Sequence, residues 1–194
     1  MKSFKQFFEV TGDDERAAVR NYTGHGFLDM NTRHWKAKYP NPRRFKGPVD
    51  KKLSQAIKQQ TSSKTMVVHR LGRIGTDAHH QMVRDKVAKK GSTTVRHRGY
   101  MSTTSERHLP EVWHKVFYKP KGFENAKGHF WHIKVPAGAH HVDMNQHNVS
   151  SWADDEKEVL FHKGVKLHVH RVVADGNNFH YHATMVHDGI KKLK

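Results

Sequence analysis

Cysteine is absent from the 194 residues, which excludes a disulfide scaffold, a Cys-ligated zinc site and a Cys nucleophile. No apolar run approaches the ~20 residues that span a bilayer. The first ten residues, MKSFKQFFEV, lack the apolar centre of a signal peptide. The expectation is a soluble chain that needs no membrane, acting where it is made or delivered by machinery that reads no cleaved signal. Proline is scarce, and three of the six prolines fall in Tyr39–Pro48, which reads as a loop. Hydrophobic residues are few at 35%, yet ten Phe, five Tyr and four Trp are enough to build a core. The length fits one domain.

Acidic residues are also short. Eighteen Asp+Glu face 35 Lys+Arg, leaving a formal charge of +17. A chain this small with that charge draws anions inward. Nucleic acid, the acidic surface of a ribosome or polymerase, and a phosphate-rich small molecule are the partner classes this implies. The basic residues cluster around 43–52, 84–98 and 191–194; the plain alternative is a solvated face that keeps the chain soluble. Nineteen histidines add a reserve of charge, since protonating all of them would more than double the net charge.

The first third reads as helical. Thr11 with Asp14 resembles a capping box, Asn21–Gly26 breaks the helix, and Phe27–Lys36 starts another. Val49, Leu53 and Ile57 recur at four-residue spacing, one apolar stripe on a helix. The remainder reads mostly as strands: Lys64–Arg70, Arg98–Thr104, and residues 128–135, 157–161, 165–173 and 178–186. Short helices are expected at Asp77–Ala88 and Glu106–Phe117. The fold class is therefore α+β, with a mainly helical part over residues 1–62 and a β-rich core over 63–194 in one domain.

Three segments carry chemistry. Glu156 and Glu158 lie two apart where a strand begins, and side chains at i and i+2 leave a strand on one face. Paired carboxylates suit glycosyl chemistry: one stabilises an oxocarbenium-like centre while the other handles the proton of the attacking group. The plain alternative is a solvent-facing acidic turn. Arg70 closes an apolar run before Leu71–Gly72 and can present its planar fork to a phosphate or carboxylate. In Tyr100–Thr104 (YMSTT), Ser102 and Thr104 share a strand face, so Ser102 can orient a carboxylate; ordinary β propensity also explains the run.

In chain order the three segments resemble the signature of the arginine-type mono-ADP-ribosyltransferases: an Arg, a Ser-Thr-Ser strand and a Glu-x-Glu. In particular the sequence resembles the small ADP-ribosyltransferases of T-even-type bacteriophages, the Alt/ModA/ModB group. Tyr22–Gly24 with Met30–Asn31, and Glu156–Phe161 (EKEVLF), extend the resemblance over about residues 14–175. Thr104 stands where the third position is usually Ser, and His69 where an aromatic is frequent.

The resemblance implies two roughly perpendicular, mostly antiparallel sheets with N-terminal helices packed on them and NAD in the cleft between. Arg70 would pair with the NAD phosphates, and Leu71, Gly72, Ser102, Thr103, Thr104, Tyr22, Asn31 and Glu158 would complete its site. Ser102 would orient Glu158, and Glu158 would bind the nicotinamide-ribose 2′-hydroxyl and stabilise the oxocarbenium ion. A guanidinium stays protonated at pH 7 and is a poor nucleophile until a carboxylate shares its proton. Glu156 would supply that carboxylate, which points to arginine as acceptor. The loop His140–Asp155 would meet the target, with Trp152 and Glu156 as contacts. The resemblance also implies acidic-surfaced host proteins as targets (RNA polymerase or ribosome-associated proteins), action in the host bacterial cytoplasm, and NAD as substrate without a metal.

Three rival readings remain. His168 with His170, and His180 with His182, share strand faces and can bind metal, but no third ligand completes an evident set. A non-enzymatic nucleic-acid-binding protein fits the charge but not the paired carboxylates, and an RNA contact is also compatible with the enzyme. An NAD glycohydrolase would use the same cleft with water as acceptor.

Overall fold

Alternation of apolar with polar residues carries the second half of the chain into strands. Leu167 and Val169 turn inward between exposed Lys166 and His170, and Tyr181, Ala183 and Met185 are buried between half-exposed neighbours. The computed structural model describes residues 17–19, 48–72, 77–117, 127–144 and 157–194. They form α1 (Pro48–Gln59), β1 (Met66–Leu71), α2 (Asp77–Lys90), β2 (Thr93–Arg96), β3 (Met101–Thr104), α3 (Leu109–Phe117), β4 (His129–Val135), β5 (His141–Asp143), β6 (Glu158–Phe161), β7 (Lys166–Asp175) and β8 (Asn178–His187). Residues 17–19 are also helical. The expected helices at Thr11–Asp14 and Phe27–Lys36 and the start of the proline-rich loop lie outside the described residues; α1 begins at the last residue of that loop, Pro48, where a missing N–H is harmless.

The strands run in the order β2-β7-β8-β4-β1-β3-β6-β5. Every neighbouring pair is antiparallel except β4 with β8, so the sheet is mostly antiparallel and the fold is α+β as expected. The two expected sheets are joined in one hydrogen-bonded order. β1 pairs with β4 over six residues but with β3 at the single pair His69↔Thr104, so the two halves of the sheet meet at a narrow seam.

Two clusters pack on the sheet, one on each face. Val68, Ile133, Ala183 and Val169 share the core face with Met101, Val159 and Phe161 from across the seam, and α2 adds Val83. On the opposite face Leu53, Ala56 and Ile57 of α1 pack with Ala18 and Val19 against Tyr100, Leu160, Val142 and Met144. Leu53 and Ile57 of the predicted stripe are fully buried. α2 runs two residues beyond its expected end and stops at Gly91, whose φ of 74° lets its N–H reach the Val87 carbonyl at 2.8 Å. α3 starts at Leu109 rather than Glu106; its first helical bond runs from the Val112 N–H to the His108 carbonyl at 3.2 Å, while the Glu106 N–H donates to the Thr104 hydroxyl at 3.0 Å.

One polar knot fastens α1 to the sheet. Asp50, 6% exposed, accepts from the Tyr100 hydroxyl at 2.8 Å and from Lys163 Nζ at 2.6 Å. Beside it the Ser54 hydroxyl donates to His162 Nε2, whose ring meets the Lys163 carbonyl through Nδ1 at 3.0 Å. Removing one partner of a buried ion pair typically costs about 3–5 kcal/mol, because the other charge stays buried. Asp50→Ala is therefore expected to lower the melting temperature by about 10 °C. Calorimetry at neutral pH checks this, and a drop below about 2 °C would show the knot to be dispensable.

Candidate active site

The seam between β1 and β3 brings the three predicted segments together. Arg70 closes β1 one residue beyond the His69↔Thr104 pair, and its Nη1 donates to the Ser102 carbonyl at 2.6 Å across the seam. On the far side of β3, Thr104 pairs with Glu158, the first residue of β6. Glu158 is only 8% exposed, and a carboxylate so placed needs polar company. Directly paired residues on neighbouring strands present side chains to one face. Glu158, Thr104 and His69 thus form a row; Arg70, the next residue of β1, pairs with Trp131 on the alternate face and reaches across the seam to the β3 backbone at Ser102.

The hydroxyls of β3 divide by face. Ser102, half-buried, shares the face of Thr104 and Glu158 but lies opposite Leu160. The residue opposite Glu158 is Thr104, whose oxygen accepts the Glu106 N–H. Thr103 points to the other face and its hydroxyl donates to the Val159 carbonyl at 2.7 Å, strapping β3 to β6. Leu71 is half-buried and pairs with Phe130. Gly72 has a packing reason to be glycine: a Cβ there would meet His129 Cβ at 2.8 Å and the His80 ring at 2.9 Å, and its N–H donates to the His129 carbonyl at 2.6 Å.

Lys157 has φ 45°, a left-handed conformation that costs a non-glycine residue roughly 1–2 kcal/mol. Its carbonyl accepts the Ser105 N–H at 3.0 Å, so the turn is tied to the end of β3. The strand begins only at Glu158. The alternation rule that would set Glu156 on the same face as Glu158 does not apply across a left-handed Lys157. Glu156, Trp152, Tyr22 and Asn31 lie outside the described residues.

The electrostatics favour an anion at Arg70. His97 lies close by, its Nδ1–H donating to the Gly99 carbonyl at 2.9 Å, and its pKa is depressed to about 3 by burial first and by the Arg70 guanidinium second. The site therefore offers a cation whose nearby imidazole stays neutral, and a protected carboxylate across the seam. A dinucleotide's phosphates fit the first and a sugar hydroxyl fits the second.

Sequence reasoning did not foresee His69 in this row, having read it only as a departure from an aromatic position. The His-Arg dipeptide at the end of an apolar run is the one signal the sequence holds for it. The predicted sharing of a face by His180 and His182 holds, since both rings stack on His132. Among the described residues no group of three metal-ligating side chains converges.

A family model described as ADP-ribosyltransferase exoenzyme matches residues 1–192. Solved structures share the architecture: an ADP-ribosyltransferase of Clostridium botulinum aligns at TM-score 0.68 and 14% identity, over 93% of this chain and 89% of that one. A protein of S. aureus, solved with NAD, aligns at TM-score 0.62 and 16% identity over 90% and 87% of the two chains. The Vis ADP-ribosyltransferase of Vibrio splendidus, solved with agmatine, aligns at TM-score 0.63 and 15% identity over 92% and 77%. No curated protein matches the chain in sequence.

Proposed function

The chain belongs to the ADP-ribosyltransferase exoenzyme family, and on that premise we propose that it transfers ADP-ribose from NAD to arginine side chains of proteins and releases nicotinamide. The observation that supports this most is the seam: Arg70, the Ser102–Thr104 strand and Glu158 are hydrogen-bonded neighbours there, although 88 residues separate the first from the last. Arg70 holds the NAD phosphates, and Leu71, Gly72, Thr103 and Thr104 keep the strand ends in place beneath them. Ser102 and Thr104 orient Glu158. The Glu158 carboxylate accepts the 2′-hydroxyl of the nicotinamide ribose and stabilises the positive charge that develops at C1′.

As the C1′–N bond to nicotinamide breaks, its electron pair leaves with the ring. A guanidinium nitrogen forms the new C1′–N bond, and the proton it loses passes to Glu156. Tyr22 and Asn31 close on NAD from the helical side, and Trp152 meets the target. The binding of agmatine, itself a guanidinium compound, by the Vis protein favours a guanidinium acceptor. The net charge of +17 suits acidic-surfaced targets, and bacterial transcription and translation proteins are the class we favour, with the chain phage-encoded and acting in the host cytoplasm. Among the described residues no helix is long and apolar enough to cross a membrane.

Labelled NAD incubated with the protein and a bacterial lysate is expected to mark discrete protein bands with the adduct on arginine. Adducts on another residue type, or free ADP-ribose alone, would refute the acceptor assignment. Glu156→Gln is expected to lower transfer about 100-fold or more while nicotinamide release stays within about threefold. Equal loss of both would end the acceptor role given to Glu156.

A further inference from the structure

The row that starts at Glu158 does not stop at His69. His69 pairs with His132, His132 with His182, and His182 with Arg171, so one line of side chains crosses six strands on one face. At the usual strand spacing it is roughly 24 Å long. The imidazoles in it are joined. His69 Nδ1 lies 2.9 Å from His132 Nδ1, and His132 Nε2 lies 3.0 Å from Nδ1 of His180, two residues before His182 on the same face. The His182 ring stacks on His132 at 5.0 Å.

Such a chain has a fixed capacity. Each N···N contact holds one proton, and only the outer nitrogens of His69 and His180 remain. Three neutral imidazoles carry three protons, and the intact chain can carry four, so it accepts one positive charge. A second would set N–H against N–H and break a contact. Both nitrogens of His132 face other imidazoles, which leaves none for a metal ion.

Around the chain the face is cationic and open. Lys134 and Arg171 flank it, and Arg96 and Lys166, paired with each other on β2 and β7, extend it; all four are exposed. Among the described residues the carboxylate on this face of β2, β7, β8 and β4 is Asp175, at the far end of β7 opposite Asn178 and four residues beyond Arg171. The opposite face of the same strands is the buried core, so this one is not needed to hold the sheet together.

We propose that this face of β2, β7, β8 and β4 is the docking surface for an acidic patch on the protein substrate, and that the imidazole chain makes docking proton-linked. The proposal rests on the transferase reading given above. Continuity supports it: a partner seated on the face lies along the row that ends at Glu158. Four fixed cations spread over three strands, β2, β7 and β4, fit scattered carboxylates, and a carboxylate can share a proton with an imidazole. His69, His180, His182 and Arg107 face His132; Arg171 and His170 on β7 face His182, Glu106 and Arg107 ahead of α3 face His69, and Lys134 follows His132 on the same face of β4. Arg107 and Arg171 help to keep the free face's imidazoles neutral, and an incoming carboxylate reverses that bias.

The test is binding of fluorescent poly-L-aspartate to the intact chain at constant ionic strength, from pH 7.5 to 5.5. Affinity is expected to rise at least about fivefold over that range, since uptake of one proton gives at most about tenfold per unit. Lys134→Gln with Arg171→Gln should weaken binding about tenfold, while Lys86→Gln with Lys89→Gln on α2 should change it less than about twofold. His182→Gln, and separately His132→Gln, should flatten the pH dependence. Equal losses from the two lysine-containing pairs, an unchanged pH slope in both histidine variants, or single-stranded poly-U bound more tightly through the same residues would overturn the proposal. Nicotinamide release is measured alongside: the face variants should keep it, and its absence from the unmodified chain would refute the transferase reading without touching the binding result.

Discussion

Glu158→Gln is expected to leave the fold intact and to lower both ADP-ribosyl transfer and nicotinamide release by about 10³-fold. Glutamine matches glutamate in shape, so the β3–β6 pairing of Thr104 with residue 158 and the packing of Leu160 and Phe161 behind it should persist. What is lost is a negative charge in a site 8% exposed, where an electrostatic contact is worth far more than in water. Loss of one preorganised stabilising group of this kind typically lowers turnover about 10²–10³-fold. Nicotinamide release falls with transfer because both need the same charge at C1′, which separates this variant from Glu156→Gln. Chromatographic measurement of nicotinamide, with a melting curve for each protein, checks the prediction. Activity within tenfold of the unmodified chain at unchanged melting temperature would remove Glu158 from the reaction.

That Arg70, Ser102 and Glu158 lie on strands was legible in the sequence, because strand patterns survive without knowledge of neighbours. What strand pairing decides was not legible. That Thr104 rather than Ser102 lies opposite Glu158, or that Thr103 straps β3 to β6, follows from a register that no local pattern encodes. β2 and β5 escaped notice because four and three residues are too short to display a period. Gly72 was assigned to NAD by resemblance, and the structure gives it a separate reason, the closeness of His129.

The same limit governs the histidines. Two residues apart on one strand implied shared faces, and this holds for His180 with His182. It does not hold simply for His168 with His170, because a β-bulge between Val169 and Arg171 shifts the register there. The His69–His132–His180 chain joins three strands whose segments are separated by dozens of residues, so spacing arguments within a strand could not reveal it.

Stability should fall steeply as the solution is acidified, and imidazoles that are buried or half-buried in the fold are the reason. His97 is depressed to about 3, and His132 and His162 to about 4, all from 6.5. Burial leads in each case, followed by Arg70 at His97, His69 at His132, and at His162 by Lys163 beyond the opposing hydrogen bond to its carbonyl. Between pH 6.5 and about 4 these rings are neutral in the folded chain and protonated in the unfolded one. Unfolding therefore takes up protons, so their contribution is complete above 6.5 and drains away as the pH falls. Asp188 acts lower down. Fully buried, it accepts from the His140 N–H and ring and from the Ile190 and Lys191 N–H groups, which hold its carboxyl below the usual range against the opposing effect of burial. Its contribution is present above the ordinary carboxylate range and lost only below it. The expected result is a melting temperature flat above about pH 7, with uptake of at least about three protons on unfolding near pH 5, since His69, His79, His141 and His182 are lowered in the same direction. Calorimetry across pH 7.5 to 4.5 measures the slope, and His162→Gln should reduce it by about one proton. A melting temperature unchanged down to pH 5 would mean that these rings already carry their charge in the folded chain.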